Sequence, residues 1–184
     1  MDKCVVGVLA LLGVLCTCPA QAFEIVRAES TYHDREYRVV LELVLQAPTH
    51  KVQEVLRDYA NYPGLDASIL ESKVLSRPDE NTAMLYTRLR ACSGLFCRTV
   101  KRVERVEESP LQLLAVVAPD QSDVISGSTQ TVLVSSNGIT RVFYQTRVVP
   151  KFWVPSLVGR PFMLRTLREA SLDLFRHVET RAKL

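Results

Sequence analysis

The sequence predicts an α+β domain in which a meander of antiparallel strands packs on one long terminal helix. Three observations predict it. Between Pro161 and Ala182, Met163, Leu164, Leu167, Ala170, Ser171, Leu174, Phe175 and Val178 recur at three- and four-residue spacing. Arg165, Arg168, Asp173, Arg176 and Arg181 take mostly other positions, which is the pattern of a helix with one apolar face. From Ser72 to Val148 there is no long helical period, only strand-like runs separated by turn chemistry. Finally, no strand-helix-strand alternation occurs, which disfavours a parallel doubly wound sheet.

A chain of 184 residues, 47% hydrophobic and 23% charged, is long enough to bury one sizeable core. Its formal charge of +3 is dispersed among interleaved Glu and apolar residues, so nucleic acid is not expected as a partner. Residues 1–22 are set apart from the domain. Lys3 gives a positive start, Cys4 to Cys16 is an apolar stretch too short for a comfortable membrane span, and Ala20-Gln21-Ala22 offers a small-x-small cleavage site. The expectation is a signal peptide cleaved after Ala22, a single domain at 23–184, and a periplasmic or secreted protein. A retained anchor, or lipid attachment at Cys18, is the alternative.

Cleavage would remove Cys4, Cys16 and Cys18 and leave Cys92 and Cys97. In an oxidising compartment, two cysteines bracketing Ser93-Gly94-Leu95-Phe96 between strand-like flanks are expected to close a disulfide across a hairpin turn. Two buried free thiols are the other reading. No His or Cys pair nearby supports a metal site.

Along the domain, Phe23 to Tyr32 and Glu36 to Gln46 read as two strands, or one bent strand, broken at His33-Asp34-Arg35. In the second, Tyr37, Val39, Leu41, Leu43 and Leu45 share a wholly apolar face, while Arg38, Val40, Glu42, Val44 and Gln46 form a mixed one. Ala47-Pro48-Thr49 then starts a short helix, with Thr49 as the expected N-cap. Val52, Val55, Leu56, Tyr59 and Tyr62 supply its buried stripe, Pro63-Gly64 ends it, and residues 65–71 have room for another helical turn. The remaining strands are expected at Ser72 to Ser76, Thr82 to Arg90, Phe96 to Val106, Leu111 to Val117, Ser126 to Ser135 and Thr140 to Val148. Breaks fall at Pro78 to Asn81, Glu108-Ser109-Pro110, Pro119-Asp120 and the hairpin pair Asn137-Gly138. Pro161 suits the first turn of the terminal helix, because its missing amide donor costs nothing there.

Ala47-Pro48, Val52, Val55-Leu56, Asp58-Tyr59 and Tyr62-Pro63 resemble the opening helix of START-like (SRPBCC) proteins, especially the coenzyme-Q-binding and polyketide cyclase/dehydrase branch. Gly127 before a strand, then Asn137 to Val142 and the terminal helix, follow in the same order, so the resemblance spans about residues 36–182. The pattern departs at Gln53 and Leu65, where aromatics are common. The resemblance implies a helix-grip fold: a curved antiparallel sheet wrapped around the C-terminal helix, one or more short helices after the first strand, and a cavity between sheet and helix. It also implies a hydrophobic small-molecule partner, such as a lipid, quinone or polyketide, and it brings no cofactor.

Within such a cavity, Leu167, Ser171, Leu174 and Phe175 on the terminal helix become candidate ligand contacts. Tyr86, Arg88, Arg102 and Tyr144 are candidates to fix a polar head by hydrogen bonds. The competing reading turns these four outward to water. Arg98, Lys101, Arg102 and Arg105, interleaved with Glu104, Glu107 and Glu108, read as a solvated face with cross-strand ion pairs. Between the last strand and the helix, Pro150 to Val158 holds the only Trp. Trp153 is a further candidate ligand contact, and Phe152 and Trp153 either cap the cavity mouth and touch a membrane or a donor protein transiently, or pack as a lid on the core. His33, His50 and His177 have no nucleophile or metal partner in view. No catalytic motif such as HExxH or GxSxG occurs, so no catalytic residue is named. The expected function is an exported, non-enzymatic carrier of a lipid or isoprenoid quinone. The alternatives are a polyketide cyclase/dehydrase-like enzyme and a module that binds a protein segment.

Overall fold

The computed structural model describes residues 23–93, 96–154 and 159–184. The expected leader at 1–22, the Gly94-Leu95 tip and residues 155–158 of the last connection lie outside the described residues. The elements run β1 (Glu24–His33), β2 (Glu36–Leu45), α1 (Thr49–Arg57), a 3-10 turn (Tyr59–Gly64), β3 (Ile69–Asp79) and β4 (Thr82–Ser93). They continue with β5 (Phe96–Ser109), β6 (Gln112–Val117), β7 (Val124–Ser136), β8 (Ile139–Pro150) and α2 (Gly159–Ala182).

The eight strands form one antiparallel sheet in the order β1-β2-β8-β7-β6-β5-β4-β3. Two tight hairpins follow the turn chemistry. Asn137 and Gly138 take φ of 45° and 81°, and Asp34 and Arg35 take 47° and 70°. A two-residue loop needs this left-handed pair of residues to match the twist of its strands. The phase of β2 is as its alternation predicts: Tyr37, Val39, Leu41, Leu43 and Leu45 are all buried on the concave face. Opposite them across β8 sit Val142 and Tyr144, in register with Leu43 and Leu41. Phe175 and Val178 of α2, both fully buried, close on the same patch.

The structure corrects four local expectations. Thr49 is not the N-cap: Pro48 occupies that position, and the buried Thr49 hydroxyl lies 3.0 Å from that of Thr140, fastening α1 to β8. Tyr59 and Tyr62 belong to the 3-10 turn, because Pro63 removes the amide that an α-helical continuation would need there. Residues 65–71 do not add a helical turn throughout, since β3 already begins at Ile69. On α2 the buried set also includes Leu172 and Glu179, outside the expected stripe. The Glu179 carboxylate accepts the Gln46 amide at 3.1 Å, tying the helix to the end of β2.

Cys92 and Cys97 face each other across the β4–β5 hairpin and are joined by a disulfide. The loop it closes is short, so constraint of the unfolded chain contributes about 2 kcal/mol. Replacing both cysteines by Ser is expected to lower the urea midpoint accordingly with little change in m-value, as followed by equilibrium unfolding.

Candidate functional site

The concave sheet and α2 do not meet along their whole length. Between them lies a cavity of about 250 Å³. From α2, Thr166, Leu167, Ala170, Ser171, Leu174 and Phe175 face it, a spacing that keeps one helical face on the void for more than two turns. The sheet contributes mostly apolar side chains, including Leu85, Leu89, Val100, Val106, Leu113, Ala115, Val124 and Val148. Leu56, Tyr59 and Tyr62 close the α1 side.

A small polar group interrupts this lining. On β5 the alternation that buries Val100 and Val106 also turns Arg102 and Glu104 inward. Arg102 Nε lies 2.9 Å from Glu104 Oε2, and the Glu104 side chain is only 3% exposed. That contact misses hydrogen-bond alignment, and Nε finds no hydrogen-bond partner among the described residues. Across the cavity stand Tyr144 and Thr146 of β8, Thr129 and Thr131 of β7, and Ser171 of α2. The Thr129 and Thr146 hydroxyls are 2.8 Å apart, and Ser171 donates to the Leu167 carbonyl at 2.8 Å. Tyr62 donates to the Leu56 carbonyl at 2.6 Å, which holds the 3-10 turn over the void.

Burial raises the Tyr144 phenol above its ordinary value, an effect opposed by the Ser171 and Thr146 hydroxyls and by the Arg102 charge. Tyr62 is pushed well above the usual range by burial first, then by Tyr59 and Glu104. Tyr59 is raised as well, by burial and by the Glu108 carboxylate that accepts its hydroxyl proton at 2.9 Å. All three phenols are therefore neutral donors at ordinary pH. An acid whose folded pKa is raised contributes stability that is fully present below its unfolded value, near 10, and is lost as pH rises beyond it. Base-induced unfolding is thus expected to set in above about pH 10. Tyr62→Phe and Tyr144→Phe should each move that onset upward in a circular-dichroism titration.

Of the residues expected at the ligand, the structure brings Arg102, Tyr144, Leu167, Ser171, Leu174 and Phe175 to the cavity. It does not bring Tyr86, Arg88 or Trp153. Ala83, Leu85, Thr87 and Leu89 take the inner face of β4, so Tyr86 and Arg88 point the other way. There Tyr86 lies under the Lys73 ammonium at 4.9 Å and Arg88 pairs with Glu71 at 3.2 Å. Trp153 is 80% exposed and stands outside the lining, whereas its neighbour Phe152 lines the rim beneath the Arg98 guanidinium, 5.3 Å away. Cys92 and the exposed Arg90 belong to the same rim.

The β5 charges also depart from the solvated face expected of them. Arg98, Lys101, Arg105 and Glu107 are exposed, but Arg102 and Glu104 face the void. Glu108 is buried between Arg77 at 3.0 Å, Arg57 at 3.4 Å and the Tyr59 hydroxyl. Glu104, Thr129, Thr131 and Thr146 were missed from the sequence. The signal for Glu104 was present, since Val100, Arg102, Glu104 and Val106 fall on one face by simple alternation. His33, His50 and His177 are exposed and do not line the cavity. Among the described residues no group of three or more His, Cys, Asp or Glu side chains is placed to hold a metal ion.

No protein-family model matches the sequence, and no curated protein does. Solved structures do match. A START superfamily protein from Mycobacterium smegmatis superposes with a TM-score of 0.63 at 17% identity, covering 79% of this chain and 97% of that one. A STAR-related lipid transfer protein from Xanthomonas axonopodis gives 0.60 at 15% identity, covering 89% of this chain and 100% of the other. The fold is START-like. The Zhui aromatase/cyclase from a Streptomyces species shares it, with a TM-score of 0.65 at 14% identity over 80% of this chain and 94% of that one. In this START-like fold the sheet wraps α2, and β1 is the edge strand beyond β2.

Proposed function

We propose that this START-like protein is an exported, non-enzymatic carrier that takes up one hydrophobic small molecule, a lipid or isoprenoid quinone, between sheet and α2. The observation that carries this reading is the apolar cavity with its few convergent polar side chains, the usual form of a small-molecule site. Its volume of about 250 Å³ suits one chain or ring system rather than a two-chain phospholipid. Each methylene moved from water into the cavity contributes about 0.8 kcal/mol, so a single chain supplies most of the binding free energy without strong polar contacts. Structural likeness to a lipid transfer protein favours the same reading. Export is supported by the leader-like residues 1–22 and by the Cys92–Cys97 pair, which suits an oxidising compartment. The exposed Trp153 beside the rim residue Phe152 supports transient contact with a membrane as cargo enters or leaves.

A second reading, a polyketide cyclase/dehydrase-like enzyme, is favoured by one specific observation. Arg102, Glu104 and the neutral Tyr144 phenol all reach the cavity, where they would orient a polyketone and stabilise an enolate. Likeness to an aromatase/cyclase points the same way.

Native mass spectrometry of the protein purified from its own host separates the two. A co-purifying lipid or quinone is the expected result, and an empty protein that turns over a polyketone would replace the carrier by the enzyme. For the membrane step, Phe152→Ser/Trp153→Ser is expected to weaken liposome sedimentation several-fold. Unchanged sedimentation would remove membrane contact from the proposal.

A further inference from the structure

The chemistry of the polar group in the cavity narrows the class of cargo. A lone buried guanidinium recruits anions, because a carboxylate or phosphate head repays its lost hydration through a charge-assisted pair. Arg102 is not alone. Glu104 Oε2 stands 2.9 Å from its Nε, and the pair as a whole carries no net charge. The other charged lining residues, Asp66 and Arg90, also cancel. An anionic head would have to shed its water beside a fixed carboxylate, and its repulsion from Glu104 would offset much of its attraction to Arg102.

The pair is nonetheless incompletely satisfied. Among the described residues Arg102 Nε has no hydrogen-bond partner, and a carboxylate has about four acceptor positions, of which the misaligned contact with Arg102 Nε fills none. Such a site leaves both donor and acceptor capacity without a charge to be neutralised. The surrounding groups are of the same uncharged kind: hydroxyls of Tyr144, Thr146, Thr129, Thr131 and Ser171, of which Ser171 already donates to the Leu167 carbonyl and Thr129 and Thr146 bond to each other, so that what they add is acceptor capacity and the remaining protons.

We infer that the cavity selects amphiphiles ending in an uncharged hydroxyl, an alcohol or phenol, that accepts from the Arg102 guanidinium and donates to the Glu104 carboxylate, and that it discriminates against carboxylates and phosphates on the same chain. This rests on the carrier reading and deepens it. For an isoprenoid cargo it assigns the reduced, hydroxyl-bearing form of a quinone rather than the oxidised form, which has carbonyl acceptors but nothing to donate to Glu104. The recognition is asymmetric. Failure to bridge the pair leaves Glu104 without its donor, which penalises a head that only accepts.

The test is displacement of the uncharged fluorophore N-phenyl-1-naphthylamine from the intact domain by decan-1-ol and by decanoate at neutral pH. The alcohol is expected to compete at least ~tenfold more strongly, a difference of about 1.4 kcal/mol. Glu104→Gln, which keeps the shape but frees the Arg102 charge, is expected to cut that preference at least ~tenfold, to parity or beyond, in favour of decanoate. The Arg102→Gln/Glu104→Gln double variant, with no charge to favour or repel an anion, is expected to restore the preference for the alcohol. Equal competition by alcohol and decanoate in the unaltered protein overturns the inference while leaving the carrier reading in place. That comparison does not depend on either variant folding. If the fluorophore and both chains fail to bind the unaltered protein, the carrier reading fails and the inference with it.

Discussion

Phe175→Ala is expected to lower the free energy of unfolding by about 3–5 kcal/mol, among the largest effects available from one side chain in this fold. Phe175 is fully buried, and its ring meets that of Tyr144 edge to face at 5.2 Å between centroids. It belongs at once to the packed core with Leu41 and Leu43 and to the wall of the cavity. Truncation therefore removes apolar contact, removes the aromatic pair, and merges the new space with the existing void, so the neighbours have little reason to collapse onto it. Domains of this size are stable by about 5–15 kcal/mol, so the variant should fold but unfold at a much lower urea concentration. Equilibrium unfolding followed by fluorescence measures the effect. A loss below about 1 kcal/mol would show that the α2 face is not held against β8 as described.

The converse substitution has the larger functional effect. Ala170→Phe projects a ring from α2 into the cavity at a position where the native methyl leaves it open. The helix-propensity cost is only about 0.5 kcal/mol, and burial of the ring into existing space offsets it. The thermal midpoint is therefore expected to be unchanged or higher, while ligand affinity falls by at least tenfold, about 1.4 kcal/mol, because the volume that the ligand needs is filled. Fluorophore binding and a thermal melt on the same sample check both halves. Retention of full affinity would place the ligand elsewhere than beside α2.

Much of the fold is legible where a periodicity is clean. Tyr37 to Leu45 alternates without interruption and is found with its apolar face in the core. Asn137-Gly138 sits at the left-handed turn that its chemistry demands. The stripe from Met163 to Val178 is the face that α2 presents to the sheet and cavity, though Leu172 extends it.

The candidate site is less legible because charge masks phase. Arg102 and Glu104 look like members of a mixed-charge surface run until Val100 and Val106 are used to fix which alternate residues face inward. The same rule applied to Ala83, Leu85 and Leu89 sends Tyr86 and Arg88 outward. Tyr59 and Tyr62 were readable as buried, but their helical period could not reveal a 3-10 turn, which depends on Pro63 and on the Glu108 carboxylate far along the chain. Threonines 129, 131 and 146 gave no signal of their own, since β-branched residues suit any strand and only the register of β7 with β8 gathers them.

The position of β2 also sets the timing of self-assembly. β3 to β7 form a meander whose partners are sequence neighbours, so those hairpins can zip as local units. β2, by contrast, pairs with β8, aligning Leu41 with Tyr144, and both then wait for the last element, α2, to cover them. The buried face of β2 consequently stays without its permanent neighbours until nearly the whole polypeptide has been made. Closure of such distant contacts is the slow step of folding. The nascent chain therefore carries the wholly apolar face of β2, Tyr37 to Leu45, uncovered until late, and the rate at which α2 arrives decides whether that strand finds β8 or another molecule.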